Sequence, residues 1–83
     1  MEREELKEYL LSEGYKYEKD AEYGRDVFTK NIEDHLLEVF IDRWTMKMVW
    51  HYAPNSRRAT SALTEKIDLG VFKLMVQALM SDD

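Results

Sequence analysis

The sequence predicts an α+β fold: a helix, a four-stranded antiparallel β-meander and a C-terminal helix, with both helices packed on one face of the sheet. Apolar residues recur at helical spacing near both ends of the chain. Between them, turn-forming residues separate segments in which apolar and polar residues alternate. The chain has 83 residues and no long polar linker. We therefore expect one small α+β domain over residues 1–83.

The first helix is expected over Glu2–Glu13. Leu6 and Leu10 lie at helical spacing, carboxylates fill the first turn, and Gly14 follows the last helical residue. Carboxylates stabilise the positive end of the helix dipole. Glycine readily takes the left-handed conformation of a C-terminal cap, so Gly14 is expected to end the helix.

Two strands are expected next. From Tyr15 the hydrophobic period changes from 3.6 to 2, because tyrosines alternate with charged residues. A turn-rich segment ending at Gly24 then leads to a second strand over Arg25–Asn31. Val27 and Phe28 lie on opposite faces of this second strand, so its pattern does not indicate which face is buried.

The third and fourth strands carry the strongest pattern. The odd-numbered positions of His35–Asp42 and the even-numbered positions of Trp44–Tyr52 are mostly apolar or aromatic, which gives each strand one apolar face. Arg43 and Trp44 are unfavourable in a two-residue primed turn, so we expect a four-residue loop with Asp42 at the first position of a type I turn. The resulting cross-strand pairs are Ile41 with Met46, Val39 with Met48, Leu37 with Trp50, and His35 with Tyr52.

The C-terminal helix is expected to begin after Thr64 or Asp68 and to end near Met80. The segment 56–66 before it shows no clear pattern. Apolar residues cover more of this helix than contact with one side of a sheet requires. Either the helix lies between the sheet and the first helix, or part of it contacts another chain.

The charge is distributed unevenly along the chain. Residues 1–42 hold thirteen Asp and Glu against six Lys and Arg, whereas residues 43–83 hold four against six. An acidic surface repels phosphate backbones and attracts basic protein surfaces. We therefore expect no direct nucleic-acid binding.

Composition also constrains the location of the protein. The chain has no cysteine, which excludes disulfides and thiolate metal sites and is typical of a reducing compartment. No apolar stretch approaches the roughly 18 residues that a membrane span requires. We expect a cytoplasmic protein that does not bind membranes.

The sequence predicts no catalytic, cofactor or metal site, and hence no enzyme. The serines lie in no triad motif and the three glycines are isolated. His35 and His51 are expected on opposite faces of the sheet, so they cannot easily share a ligand. The run Glu33-Asp34-His35 is interpreted as a solvated turn, because consecutive turn residues point in different directions.

Four residues are candidates for binding a partner: Tyr23, Trp44, Arg57 and Arg58. Tyr23 and Trp44 occupy predicted hairpin loops, where large aromatic residues serve as interface anchors. The parity of Trp44 also matches the apolar face, and we favour the interpretation that it folds back onto the edge of the core. Arg57 and Arg58 follow Pro54 in a predicted loop and can bind a carboxylate or phosphate, although a solvated loop pair is the simpler interpretation.

These patterns favour a small non-catalytic protein-interaction or regulatory module that binds another protein, with a homodimer through the last helix as one form. The alternative is an acidic inhibitor or nucleic-acid mimic, of the type found in phages and mobile elements, which blocks a nucleic-acid-binding protein. A ligand binder that uses the half-apolar open face of the sheet is a third hypothesis.

Overall fold

The computed structural model describes residues 2–52 and 57–81. Five strands form one antiparallel sheet in the order β1-β2-β3-β4-β5, and both helices contribute to the core on one of its faces. The predicted α+β class is confirmed. The elements are α1 (Glu2–Ser12), β1 (Lys16–Asp20), β2 (Arg25–Ile32), β3 (His35–Ile41), β4 (Met46–His51), β5 (Ala59–Thr64) and α2 (Leu69–Met80).

The expected number of strands was wrong, because the unassigned segment contains a fifth strand. β5 pairs with β4 and places Ala62 beside Met48 and Thr60 beside Trp50. Small residues and threonines give β5 no strong apolar alternation, so the sequence pattern did not predict it. The strand forms because its backbone satisfies hydrogen-bonding groups that β4 would otherwise leave unpaired at the edge of the sheet.

The predicted register of β3 and β4 is confirmed. Leu37 lies opposite Trp50, Val39 opposite Met48 and Ile41 opposite Met46, and all six side chains are buried. Leu6 and Leu10 of α1 and Phe72 and Leu79 of α2 cover these rows. The hairpin and the two helices therefore share one core.

The structure shows which face of β2 is buried. Phe28 lies opposite Val39 in the core, whereas Val27 lies opposite Phe40 on the open face. Burying Phe28 removes a larger apolar area from water than burying Val27 would. Its partner Val39 is one of the buried residues of β3.

The glycine cap of α1 is confirmed, and of the two residues expected to cap α2 the structure has Asp68. Gly14 has a φ of 86° and donates to the Leu11 carbonyl at 3.2 Å, while the Tyr15 amide donates to the Leu10 carbonyl at 3.1 Å. These bonds form the glycine-capped end known as a Schellman motif. Asp68 caps α2, and its Oδ2 accepts from the Val71 amide at 3.1 Å.

The apolar surface of α2 is only partly covered. Phe72 contacts Tyr9 and Tyr15 edge to face at centroid distances of 6.3 and 6.4 Å. These contacts cover the apolar surface of α2 that faces α1. Leu74 nevertheless remains 67% exposed and Met80 42% exposed. Packing against the sheet and α1 therefore explains part of the apolar excess and leaves the rest at the surface.

The β2–β3 turn generates a stability prediction. Glu33 has a φ of 58°, in the left-handed region that disfavours residues with a Cβ. We expect Glu33→Gly to raise the free energy of unfolding by about 0.5–1 kcal/mol and the melting temperature by about 2–6 °C. Thermal unfolding followed by circular dichroism measures this.

The neighbouring turn residue provides the control. Asp34 does not have a positive φ, so Asp34→Gly only adds conformational freedom to the unfolded chain and is expected to lower the melting temperature. Destabilisation by both glycine variants would contradict the assigned turn.

Candidate protein-binding surface

The loops that carry Tyr23 and Trp44 lie at the same end of the sheet. The loop over residues 21–24 joins β1 to β2, and the loop over residues 42–45 joins β3 to β4. Alternate hairpins of an antiparallel meander turn at the same end, because each strand reverses the chain direction. We call this the aromatic end, defined by Tyr23 and Trp44, which are 67% and 73% exposed.

The expectation that Trp44 folds back onto the core was wrong. β4 begins at Met46, so Trp44 belongs to the loop and does not follow the alternation of the strand. The Arg43 guanidinium lies 5.9 Å from the centre of the Trp44 ring, within the range of a cation–π contact. Trp44 is therefore exposed to solvent, and Met46 is the first residue of β4 whose side chain lies in the core.

Asp42 organises the Trp44 loop. Its Oδ1 accepts from the backbone amides of Trp44 at 2.8 Å and Thr45 at 2.7 Å, and its Oδ2 accepts from the Thr45 hydroxyl at 2.9 Å. The backbone hydrogen bonds from Thr45 and Trp44 lower the pKa of Asp42 below its ordinary value. The predicted four-residue loop beginning at Asp42 is present, and this carboxylate fixes the backbone that carries the exposed indole.

Asp20 and Arg25 hold the Tyr23 loop. Asp20 Oδ1 accepts from the Tyr23 amide at 3.4 Å, and its Oδ2 lies 3.0 Å from Arg25 Nε. The Arg25 guanidinium lies 5.0 Å from the centre of the Tyr23 ring and 4.4 Å from that of Phe40. Tyr23 is thus held beside a cation that also covers an apolar side chain of the open face.

The first turn of α1 reaches the aromatic end. Arg3 Nη2 donates to the Arg43 carbonyl at 2.5 Å, which places the start of the helix beside the Trp44 loop. Glu2, Glu4 and Glu5 of this turn are acidic and exposed. The surroundings of Trp44 therefore combine an indole, two arginines, a lysine and several carboxylates.

The two candidate arginines lie at the other end of the sheet, where β5 begins. The Arg58 guanidinium lies 4.6 Å from the centre of the Tyr52 ring, and the Arg58 carbonyl accepts from the Tyr52 amide at 3.1 Å. The predicted Pro54 turn lies outside the described residues. The structure therefore separates Arg57 and Arg58 from Tyr23 and Trp44, so the four candidates do not form one surface.

The histidines occupy opposite faces of the sheet, as expected. On the core face, the His35 ring stacks on Trp50 at a centroid distance of 4.7 Å. On the open face, His51 Nε2 lies 2.5 Å from Glu38 Oε1. Among the described residues, no three Asp, Glu, His or Cys side chains cluster closely enough to hold a metal ion.

Asp26 forms a buried polar cluster that sequence reasoning missed. It is 8% exposed, and its carboxylate accepts from the Tyr17 hydroxyl at 2.7 Å and lies 3.2 Å from Lys7 Nζ and 3.5 Å from Lys19 Nζ. Burial opposes its ionisation, but the hydrogen bonds from Tyr17 and Lys7 and the nearby lysine charges outweigh burial and lower its pKa. An aspartate in a strand gives no sequence signal for such a contact, because Lys7 lies in another element.

The sequence also missed two exposed leucines on the β5 side of the molecule. Leu63 is 66% exposed on the open face, and Leu74 projects from α2. Leu63 lies in the segment for which the sequence shows no pattern. Leu74 was assigned to the last helix by its periodicity, and periodicity does not show which apolar residues remain uncovered.

Comparisons of the chain with models of protein families, with curated proteins and with solved structures find no match. Within residues 2–52 and 57–81, no helix is both long enough and apolar enough to cross a bilayer.

The Asp26 cluster predicts a pH dependence. A carboxyl whose pKa is lower in the folded state stabilises the fold above its unfolded pKa, and this contribution is lost as the pH falls through the folded pKa. We expect the free energy of unfolding to decrease from about pH 5 towards pH 2. Asp26→Asn should remove part of this slope and cost about 1–2 kcal/mol at neutral pH.

Chemical denaturation at a series of pH values measures both effects. Asp34→Asn, at an exposed turn position, controls for the loss of one carboxylate. A slope that Asp26→Asn leaves unchanged would contradict a role for this cluster in stability.

Proposed function

We propose that this protein is a non-catalytic, cytoplasmic interaction module that binds another protein through the aromatic end. The observation that carries the proposal is the exposure of Tyr23 and Trp44 on two ordered loops at the same end of the sheet. Tryptophan and tyrosine are the side chains that most often dominate the binding energy of interfaces.

The ordered loops support binding energetically. Asp42 and Asp20 each accept a backbone hydrogen bond from the loop residue that carries the aromatic ring. A loop held in one conformation loses less entropy when a partner binds, so more of the contact energy appears as affinity. Leaving a large indole exposed on such a loop is consistent with a binding role.

The charges around the aromatic end favour a basic partner surface. Glu2, Glu4 and Glu5 lie at the start of α1, which the Arg3 contact ties to the Trp44 loop, and Glu22 precedes Tyr23. A partner with lysines or arginines around an apolar pocket complements this arrangement and associates faster at low salt.

The alternative, an acidic inhibitor or nucleic-acid mimic, draws support from the outer face of α1. Glu4 and Glu8 are exposed one helical turn apart, at a spacing of about 6 Å. Asp20 and Asp26, which belong to the acidic first 42 residues, already bind cations within the chain. Protein binding through the aromatic end therefore has the stronger support.

Paired variants test the proposal. We expect Trp44→Ala and Tyr23→Ala each to weaken binding of a captured partner by about 30-fold or more, since such anchors are worth about 2 kcal/mol or more. Asn31→Ala, at an exposed position of β2 near the opposite end of the sheet, is the matched control and should retain binding. The measurement is capture from a cell lysate with each variant, followed by titration of the purified partner.

The outcomes separate the hypotheses. Equal capture by all variants would contradict the aromatic end as the binding surface. Affinity that falls steeply with salt and depends on Glu4 and Glu8, but not on Trp44, would instead support the acidic inhibitor.

A further inference from the structure

The outer edge of β5 presents backbone groups that β4 does not use. The Tyr52 amide donates to the Arg58 carbonyl, which identifies this pair as hydrogen-bonded. Antiparallel pairs alternate between hydrogen-bonded and non-bonded, so the even-numbered residues of β5 bond to β4. The amides and carbonyls of Ala59, Ser61 and Leu63 therefore point away from the sheet.

The two edges of the sheet differ in charge. The β1 edge carries lysines, a glutamate and an aspartate, which discourage pairing with another strand. The β5 edge has the sequence Ala-Thr-Ser-Ala-Leu-Thr, with neither charge nor proline. An uncharged edge strand of six residues is a template for strand addition.

We propose that two copies of this chain pair through β5, antiparallel about a two-fold axis at Ser61, to form one continuous ten-stranded sheet. The axis is perpendicular to the sheet, so the helices of both copies lie on the same face. Ser61 then lies opposite Ser61 of the second copy, and Ala59 lies opposite Leu63. These are the residues whose backbone groups point outward, so each pair forms two hydrogen bonds.

Charge complementarity selects this register and a second copy as the occupant. With the axis at Ser61, Arg57 of each copy lies opposite Glu65 of the other, which gives two symmetric pairs of opposite charge. Moving the axis to Ala62 places Arg58 opposite Lys66, which is repulsive. Moving it to Thr60 separates Arg57 from Glu65. The strand is therefore complementary to itself in one register.

The flank of α2 supplies the apolar part of the interface. Phe72 and Lys73 contact Tyr9, so this flank faces α1. At about 100° per residue, Leu74 and Ala78 lie on the opposite flank, and both are exposed. α2 packs against β5, so joining the β5 edges brings the α2 helices of the two copies towards each other. Leu74 and Ala78 lie on the flank that faces the second copy.

The distribution of charge permits this approach between two acidic molecules. Residues 57–81 hold four Lys and Arg against two Asp and Glu, whereas residues 1–42 carry the acidic excess. β1 and β2, which carry part of this excess, lie at the far side of the sheet from β5. Association through β5 leaves the loops of Tyr23 and Trp44 outside the paired strands.

Dimerisation through β5 extends the proposed function by naming one partner of the protein, a second copy. The paired edge begins at Arg57 and ends at Glu65, which lies beside Trp44, whereas the Tyr23 loop lies at the far side of the sheet. Failure of the dimer proposal can therefore be distinguished from failure of the proposed binding at the aromatic end. Tyr23→Ala should leave dimerisation unchanged, because the β1–β2 loop lies at the far side of the sheet from β5, and a monomeric variant should still bind a partner through Tyr23.

Sedimentation equilibrium and light scattering over a range of concentrations test the dimer. We expect the native protein to reach twice the monomer mass. Ser61→Lys places two lysines opposite each other at the axis and should weaken the dimer at least tenfold. Asn31→Lys, at an exposed position on β2, is the matched control and should dimerise as the native protein does. Circular dichroism verifies that both variants are folded.

Charge reversal tests the register. Arg57→Glu and Glu65→Arg should each weaken the dimer, because each creates two like-charged pairs, and the double variant should restore it. A native protein that stays monomeric up to about millimolar concentration overturns the proposal. A dimer insensitive to Ser61→Lys overturns it as well, as does a double variant weaker than both single variants.

Discussion

The cross-strand rows of the β3–β4 hairpin are the interaction on which the rest of the structure depends. Leu37 with Trp50, Val39 with Met48, and Ile41 with Met46 place six large apolar side chains on one face. Removing this face from water requires a cover, and Leu6, Leu10, Phe72 and Leu79 of the helices supply it. A shift by one residue would expose the rows, so burial fixes the register, the loop between the strands and the face that the helices cover.

The surface chemistry follows from this constraint. Fixing the register places Trp44 in the loop rather than in the strand, and the meander brings that loop to the same end as Tyr23. Polar contacts then order both loops through Asp42 and Asp20. The aromatic side chains are exposed because both lie in loops outside the strands, and short-range hydrogen bonds hold the backbone beneath them.

The acidic residues divide into those that stabilise the fold and those that remain available. Asp26 of β2 contacts Lys7 of α1 and Tyr17 of β1. Asp42 orders the loop between β3 and β4. The carboxylates along the outer face of α1 are exposed. Net charge alone does not distinguish the two groups, because a carboxylate within hydrogen-bonding distance of a lysine contributes little to the field felt by a partner.

The sequence by itself determined the two helices, the glycine cap of the first and the register of the central hairpin, because these depend on periodicity and local hydrogen bonding within short segments. Only the tertiary structure decided the rest. β5 has no strong pattern and exists through pairing with β4, Asp26 meets Lys7 from a distant element, and the exposure of Trp44 and Leu74 depends on which neighbours cover them. Periodicity shows that a residue can be buried, whereas burial itself is a property of all the elements that pack around it.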